Sequence, residues 1–201
     1  KLMEFKVEVV GVTALLVLLI LGPLVVFYPH LRAARRYGME QYGGLGMDYI
    51  SFALLCEELE RADTAFRVVQ SVHVGLNSLT LLQWGTEEQK QRFLVPQAKG
   101  EKLATFGLTE PGVGTDAGAL ATTARRDGDS YVLNGHKIFI SSAEYAGVFV
   151  MWAFTAKDAP KGKNISVFLV EPGFPGFKVG KDEKKLGQHG SSTNELIFED
   201  C

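Results

Sequence analysis

Residues 106–117 read Phe-Gly-Leu-Thr-Glu-Pro-Gly-Val-Gly-Thr-Asp-Ala. Gly112 and Gly114 in this stretch follow a predicted strand, Leu103 to Leu108. Their glycine spacing matches the G-x-G-x-x-A pattern of a dinucleotide-binding turn. That pattern requires a crossover helix directly after the glycines, within a βαβ unit. The next residues instead carry two threonines and the turn Asp127-Gly128-Asp129. A helix has no room there, so the stretch excludes a Rossmann fold. The spacing alone favours a plain turn between strands over a loop that binds a ligand.

Short strands with turn signals between them continue from this stretch to the end of the chain. Asn134-Gly135 predicts a two-residue hairpin, because both positions of a type I′ turn need positive φ. Strands at this spacing favour a closed or sandwich-like β domain. The predicted strands after the first are Ala121–Arg126, Ser130–Leu133, His136–Ile140, Val148–Thr155, Ile165–Val170 and Glu195–Phe198.

Before the strands, the apolar residues recur at helical spacing. Asp48 is expected to cap a first helix, and Asp63-Thr64 starts a second helix that Gly85 ends in the manner of a C-cap. Thr86–Gln89 has the capping-box pattern, with Thr at the cap and Gln three residues later. Pro96 is predicted to close the short helix that follows.

The first 36 residues form an atypical apolar segment. Val9 to Pro29 carry no charge, and a run of about 20 apolar residues is long enough to cross a bilayer. The arginines that follow, Arg32, Arg35 and Arg36, would then place the rest of the chain on the cytoplasmic side. A buried helix and a frame-shifted start are the alternative interpretations, and a secretory signal peptide fits worse.

Composition narrows the class of protein. The 201 residues are 46% hydrophobic with a net charge of −2, and no long basic run indicates a nucleic-acid partner. Two cysteines, Cys56 and Cys201, do not make a disulfide framework, so a reducing compartment fits best. His73 lies in an apolar helical stretch without a neighbouring His or Cys cluster, so we expect a packed histidine and no metal site.

Two longer motifs carry a family resemblance. Leu108–Asp116 is similar to the T-E-P-G-x-G-[ST]-D signature of acyl-CoA dehydrogenases, and Leu133–Ser142 resembles their second signature, N-G-x-K-x-[WF]-I-[TS]-[NS]. The resemblance extends from Gly38 to Cys201. It implies an α+β fold in which a helical domain (residues 37–102) precedes a β-barrel middle domain (residues 103–201). The family's carboxy-terminal four-helix bundle is absent from these 201 residues.

The resemblance also implies an FAD site. Thr109 would hydrogen-bond the flavin ring, Phe139 would stack near it, and Ser141 would place its hydroxyl on the reactive flavin nitrogen. Thr115 would lie near the pyrophosphate and the CoA side of the substrate. Phe139 departs from the commoner Trp, and Ser141 from the commoner Thr. The cofactor residues so implied are Phe106, Leu108, Thr109, Gly114, Thr115, Phe139, Ile140 and Ser141.

The implied reaction oxidises an acyl-CoA to the trans-2-enoyl-CoA by α-proton abstraction and β-hydride transfer to FAD. The family's glutamate base has no match in this sequence, so no catalytic residue is assigned and the 201 residues alone are expected to be inactive. Glu110 lies on a turn, for which a structural role is expected. The implied partners are an acyl-CoA, an electron-transfer flavoprotein and further copies of the full-length chain, in the cytoplasm or the mitochondrial matrix.

Two other functions remain open at this point. One is a non-catalytic flavin or acyl-CoA binding module, anchored to a membrane through Val9–Pro29. The other is a sister flavoprotein of the same fold, such as an acyl-CoA oxidase or a nitroalkane oxidase.

Overall fold

A computed structural model describes residues 39–156, 159–160 and 163–201. Within these residues no helix is long and apolar enough to span a bilayer. The predicted membrane segment, Val9–Pro29, lies outside them.

Helices form the first part of the described chain. A 3₁₀ turn, Met39–Tyr42, leads into helix α1, and two further helical stretches follow, each with a π-helical middle. The first stretch consists of α2, a π segment and α3; the second consists of α4, a π segment and α5. Their bounds are α1 Tyr49–Ala62, α2 Thr64–Gln70, π Ser71–Ser78, α3 Leu79–Trp84, α4 Glu87–Gln89, π Lys90–Leu94 and α5 Val95–Ala98.

The predicted helix starts are confirmed by their hydrogen bonds. Asp48 accepts from the Ser51 N–H, and Asp63 accepts from the Ala65 N–H. Thr86 and Gln89 make both bonds of the capping box. Each bond satisfies an N–H that the first turn of a helix leaves without a partner.

The predicted helix ends are partly wrong. Gly85 ends α3 but has an extended conformation with φ −70°, so it does not act through the left-handed region. A Cβ at Gly85 would lie 2.6 Å from the Leu81 carbonyl oxygen, so glycine is required for close approach. Pro96 does not close its helix, because α5 continues through it to Ala98.

Seven strands form the second part of the chain. Their order in the sheet is β1-β4-β2-β3-β7-β6. β5 is outside this order and pairs with β4. β1 runs parallel to β4, while β2–β3, β3–β7, β4–β5 and β6–β7 are antiparallel. The bounds are β1 Leu103–Gly107, β2 Thr123–Asp127, β3 Ser130–Ser141, β4 Ala146–Phe154, β5 Ile165–Val170, β6 Phe177–Asp182 and β7 Thr193–Phe198.

The sheet is curled. The Thr105 hydroxyl on β1 donates to the Ser141 carbonyl at the end of β3, although two strands separate β1 from β3 in the sheet order. The helix-then-barrel fold class is thus confirmed, with the barrel as a curled half-barrel. Over the residues described, β1 and β6 are the two ends of this strand order and do not pair.

The predicted Asn134-Gly135 hairpin is wrong. β3 runs without interruption through both residues, and the actual turn between β2 and β3 is Gly128-Asp129, inside the predicted Asp127-Gly128-Asp129 turn. Gly128 takes φ +59°, which a two-residue turn requires. Gly135 instead allows close packing, because a Cβ there would lie 2.7 Å from the Thr122 Cα. The sequence analysis also missed β6.

Polar side chains join the helices to β1. The buried His73 accepts a hydrogen bond from the Ala104 N–H at Nδ1 (3.0 Å), and its Nε2 lies 3.3 Å from the Gln97 carbonyl oxygen. Asn77 donates to the Ala104 carbonyl (3.2 Å), and Ser78 donates to the Gln97 side chain (2.9 Å). The prediction of a packed histidine is confirmed. These directional bonds fix the position of β1 relative to the π segment.

This contact predicts a pH dependence of stability. Burial lowers the pKa of His73 to about 4, while the unfolded value is about 6.5. Between these values the unfolded chain binds the extra proton, so the free energy of unfolding should fall as pH decreases, by up to about 1.4 kcal/mol per pH unit. Equilibrium denaturation from pH 7 to pH 4 measures it. His73→Asn keeps an acceptor and removes the titration, so equal slopes in both proteins would contradict the assignment.

Candidate functional site

A cavity of about 270 Å³ lies where the helices meet the curled sheet. Six of the eight predicted cofactor residues line it, and the roles assigned to them remain predictions. Val72 and Leu76, from the π segment, complete the lining and were not predicted as site residues. The predicted residues at the cavity are Phe106, Leu108, Thr109, Phe139, Ile140 and Ser141.

The other two predicted residues, Gly114 and Thr115, lie outside the cavity lining. Both are exposed in the loop that follows β1. A Cβ built on Gly114 would meet no atom within 4 Å, so the loop is open to its surroundings at this point. The structure therefore brings together the two ends of the predicted site near Thr109 and Ser141, and leaves the predicted pyrophosphate end on the surface.

The glycine-rich loop begins with a tight turn. Glu110 and Val113 exchange two backbone hydrogen bonds of 3.0 Å each, and Pro111-Gly112 form the tip. Proline presets the φ that the first tip position of such a turn requires. The turn directs the chain away from the cavity directly after Thr109, which leaves Thr109 at the rim.

A buried ion pair joins this turn to β3. The Lys137 ammonium donates to Glu110 Oε1 (2.7 Å) and to the Leu108 carbonyl oxygen (3.2 Å). The Glu110 carboxylate also accepts the N–H groups of Ala121 (2.7 Å) and Thr122 (3.0 Å). Lys137 has no exposed surface and Glu110 is 4% exposed. These contacts confirm the expected structural role of Glu110.

The bonds set the charge state of the pair. Burial alone would raise the pKa of the Glu110 carboxyl, but the bonds from Lys137 and the two amides hold it below its ordinary value. Burial lowers the pKa of Lys137, and the bond to Glu110 opposes that change. Because Lys137 Nζ contacts only acceptors, the geometry fits an ammonium paired with a carboxylate. Both Glu110 oxygens are occupied, so this carboxylate does not serve as a base in the cavity.

A β-bulge aims Phe139 into the cavity. The pairing of β3 with β7 shifts register between Lys137 and Ile140. Inside the shift, Phe139 takes φ +59°, a left-handed conformation that a bulky residue rarely adopts. The ring is 60% exposed and lines the cavity. Such strain, of order 1–3 kcal/mol, persists where surrounding bonds fix the backbone and is frequent at functional sites.

The π segment forms the opposite wall. Asn77 donates to the Val72 carbonyl (2.8 Å), five residues earlier, as well as to the Ala104 carbonyl on β1. Single π turns inside helices are frequent at functional sites. Val72 and Leu76, one turn apart, are thereby fixed as an apolar wall facing Thr109 and Phe139 across the cavity. Their apolar helical pattern is the same as that of core residues, so the sequence carried no separate signal for them.

Over the described ranges, no group of three or more His, Cys, Asp and Glu side chains could hold a metal ion. The cavity instead combines two hydroxyls, an exposed aromatic ring and apolar side chains. Sites for small molecules and cofactors have this composition, since apolar walls supply affinity and a few polar groups fix orientation. Fold and cavity together define a helical domain joined to a curled β domain, with a cavity of this composition between them.

Comparison with known proteins identifies the family. Residues 36–101 match the model of the acyl-CoA dehydrogenase N-terminal domain, and residues 105–201 match that of the middle domain. The chain belongs to the acyl-CoA dehydrogenase family.

One curated relative is the short-chain specific acyl-CoA dehydrogenase of Clostridium acetobutylicum. It is 49% identical over 172 residues, which cover 82% of this chain and 45% of the relative. The chain thus spans less than half the length of this relative.

Two solved structures share the fold. Butyryl-CoA dehydrogenase of Megasphaera elsdenii is 42% identical with a TM-score of 0.79, covering 87% of this chain and 46% of the other. An acyl-CoA dehydrogenase of Bacillus anthracis complexed with FAD is 40% identical with a TM-score of 0.72, covering 85% of this chain and 30% of the other.

The strain at Phe139 gives a test of the bulge. Glycine adopts the left-handed conformation freely, whereas other residues lose about 1 kcal/mol or more there. Phe139→Gly should therefore unfold at higher denaturant than Phe139→Ala. Tyr131, on the same strand without a positive φ, is the control, where Gly should be less stable than Ala by about 0.5–1 kcal/mol. The same order of Gly and Ala at both positions would argue against a strained bulge.

Proposed function

We propose that this chain forms the helical and middle domains of an FAD-dependent acyl-CoA dehydrogenase that oxidises short-chain acyl-CoA thioesters to trans-2-enoyl-CoA. The observation that carries the proposal is the convergence of Thr109, Phe139 and Ser141 on one cavity. These residues come from two sequence motifs, one in the loop after β1 and the other within β3. Family membership and the short-chain specific relative support the reaction class.

The cavity residues fit a flavin ring. An isoalloxazine is planar, apolar on its faces and polar along its edges. Phe139 offers an exposed aromatic face, and Thr109 and Ser141 offer hydroxyls that both donate and accept hydrogen bonds. About 270 Å³ is enough to receive part of such a ring and not the whole dinucleotide. In this proposal the remainder of FAD extends along the open loop at Gly114 and Thr115.

The chain's own residues bind and orient. Bound FAD would supply a two-electron acceptor for the hydride that leaves the substrate β-carbon. The Thr109 and Ser141 hydroxyls would hold the polar edge of the ring, and Phe139 would exclude water from one side. Ser141 is well fixed for this task, because its carbonyl accepts the Thr105 hydroxyl and the next residue, Ser142, donates its N–H to the Ser192 carbonyl (2.9 Å).

The proton acceptor lies elsewhere in this proposal. Removal of an α-proton needs a carboxylate without a permanent partner, and Glu110 has none of its oxygens free. We therefore propose that a part of the protein beyond these 201 residues supplies the base. The chain spans less than half the length of its short-chain relative, which leaves ample sequence for it.

Val72 and Leu76 would form the apolar wall beside the acyl chain. Such a wall favours a substrate whose acyl group ends near it, because a longer chain would extend beyond this apolar lining. An electron-transfer flavoprotein as acceptor, further copies of the full-length chain as assembly partners, and a cytoplasmic or mitochondrial location complete the proposal.

The activity test uses the product of the complete reading frame that contains this chain. The purified protein should be yellow, and butyryl-CoA should bleach the flavin absorbance anaerobically, with octanoyl-CoA slower and palmitoyl-CoA inactive. A protein that remained colourless after incubation with FAD would contradict the proposal. Fast reoxidation of the reduced flavin by oxygen would indicate an oxidase instead.

Removal of one cavity hydroxyl should slow the reaction without unfolding the protein. Ser141→Ala and Thr109→Val each remove one hydrogen bond to the ring, and we expect flavin reduction about tenfold slower in each, since a bond of this kind contributes about 1.4 kcal/mol. Stopped-flow absorbance with butyryl-CoA measures the rate. Thr123→Val, on β2 outside the cavity lining, is the matched control and should reduce at the parental rate. Parental rates in both cavity variants would exclude these hydroxyls from the site.

A further inference from the structure

Lys137 is a buried cationic side chain in the β domain. It is among the largest side chains with no exposed surface, and its ammonium has been removed from water. A charged group in this position is unfavourable unless acceptors surround it. A hydrophobic residue of similar size would avoid the cost, so the ammonium must contribute something that packing does not.

Two successive residues of β3 bind two successive carbonyls of the loop. The Lys137 side chain donates to the Leu108 carbonyl, and the Ile138 N–H donates to the Thr109 carbonyl (3.0 Å). The bulge begins directly after Lys137, and Phe139 follows Ile138. Lys137 and Ile138 thus fix the backbone between Leu108 and Glu110, and the same segment of β3 carries the Phe139 ring.

We propose that Lys137 is a positioning residue that sets the position of Thr109 relative to Phe139 on the β-domain side of the cavity. It acts through the Leu108 carbonyl and through Glu110, and it does not line the cavity itself. Without its ammonium, the Leu108 carbonyl loses a donor and the loop can move away from the bulge. This inference rests on the proposed function in one respect, namely that the ligand held between Thr109 and Phe139 is a flavin.

Charge compensation is the competing explanation. In that case Lys137 would be present only to neutralise Glu110, and the Leu108 bond would be incidental. The two explanations differ when both charges are removed together. Lys137→Met with Glu110→Gln leaves a neutral, shape-matched pair. The amide oxygen of Gln then accepts from one of the Ala121 and Thr122 N–H groups and not from both, because these two groups bind different carboxylate oxygens of Glu110. The double variant restores neutrality but supplies no donor to Leu108.

The experiment compares Lys137→Met, Glu110→Gln and the double variant in the product of the complete reading frame. Three measurements are made: the denaturant midpoint, hydrogen exchange of the flavin-free protein in the peptide containing the Ile138 amide, and FAD affinity by fluorescence titration. Both single variants are expected to lose stability, because each leaves a buried charge without its partner. The double variant carries the test if a single variant does not fold.

Positioning predicts that the double variant has a midpoint above that of either single variant, while Ile138 exchanges faster than in the parent and FAD binds at least about tenfold more weakly, the change expected for the loss of one hydrogen bond. Recovery of midpoint, exchange and FAD affinity together would overturn the proposal in favour of charge compensation. Parental exchange and affinity in Lys137→Met alone would overturn it as well.

The matched control is the ion pair between Lys102 and Glu171 (2.9 Å), which joins the segment before β1 to the residue after β5 and lies outside the cavity lining. Lys102→Met with Glu171→Gln should leave Ile138 exchange and FAD affinity at parental values. If the parent binds no FAD, the proposed function fails, and the exchange comparison still decides whether Lys137 positions the loop.

Discussion

Lys137 carries an ammonium into a part of the β domain where its side chain has no exposed surface, and Glu110 meets it there with a carboxylate. Desolvation of both groups is unfavourable, and the cost is recovered only when every remaining polar atom has a partner. The amides of Ala121 and Thr122 and the Leu108 carbonyl supply those partners. One buried polar contact therefore joins the glycine-rich loop, the two residues before β2 and the β3 segment that contains the bulge.

The cavity depends on a second set of bonds that crosses between the domains. His73 and Asn77 bind the backbone of Ala104 on β1, so the π segment is fixed by directional contacts as well as by apolar packing. A wholly apolar interface would tolerate small sliding movements. Here the bonds to Ala104 fix Val72 and Leu76 relative to β1 and Thr109. A site with few polar groups needs such fixed walls to select one ligand over another.

Local signals predicted the helix caps and the Asp127-Gly128-Asp129 turn, because each depends on residues within one turn of chain. The Asn134-Gly135 hairpin failed because the same dipeptide also suits an extended strand where another backbone approaches closely. β6 was missed because lysines and a glycine interrupt its alternation. Among the strands of the described residues it pairs only with β7, at the sheet edge.

Family resemblance gave six residues of the cavity lining, whereas the glycine spacing alone favoured a plain turn between strands. The π segments and the pairing of Glu110 with Lys137 had no sequence signal, since both arise from contacts between elements far apart in the chain.

Evolutionary change should be unequal across this site. The Glu110 and Lys137 bonds end on main-chain atoms of Leu108 and Ala121, which any residue provides. The side chains of Leu108 and Ala121 can therefore change during evolution, and ligand preference can change with them. The bonds from Glu110 and Lys137 to the main chain would be retained.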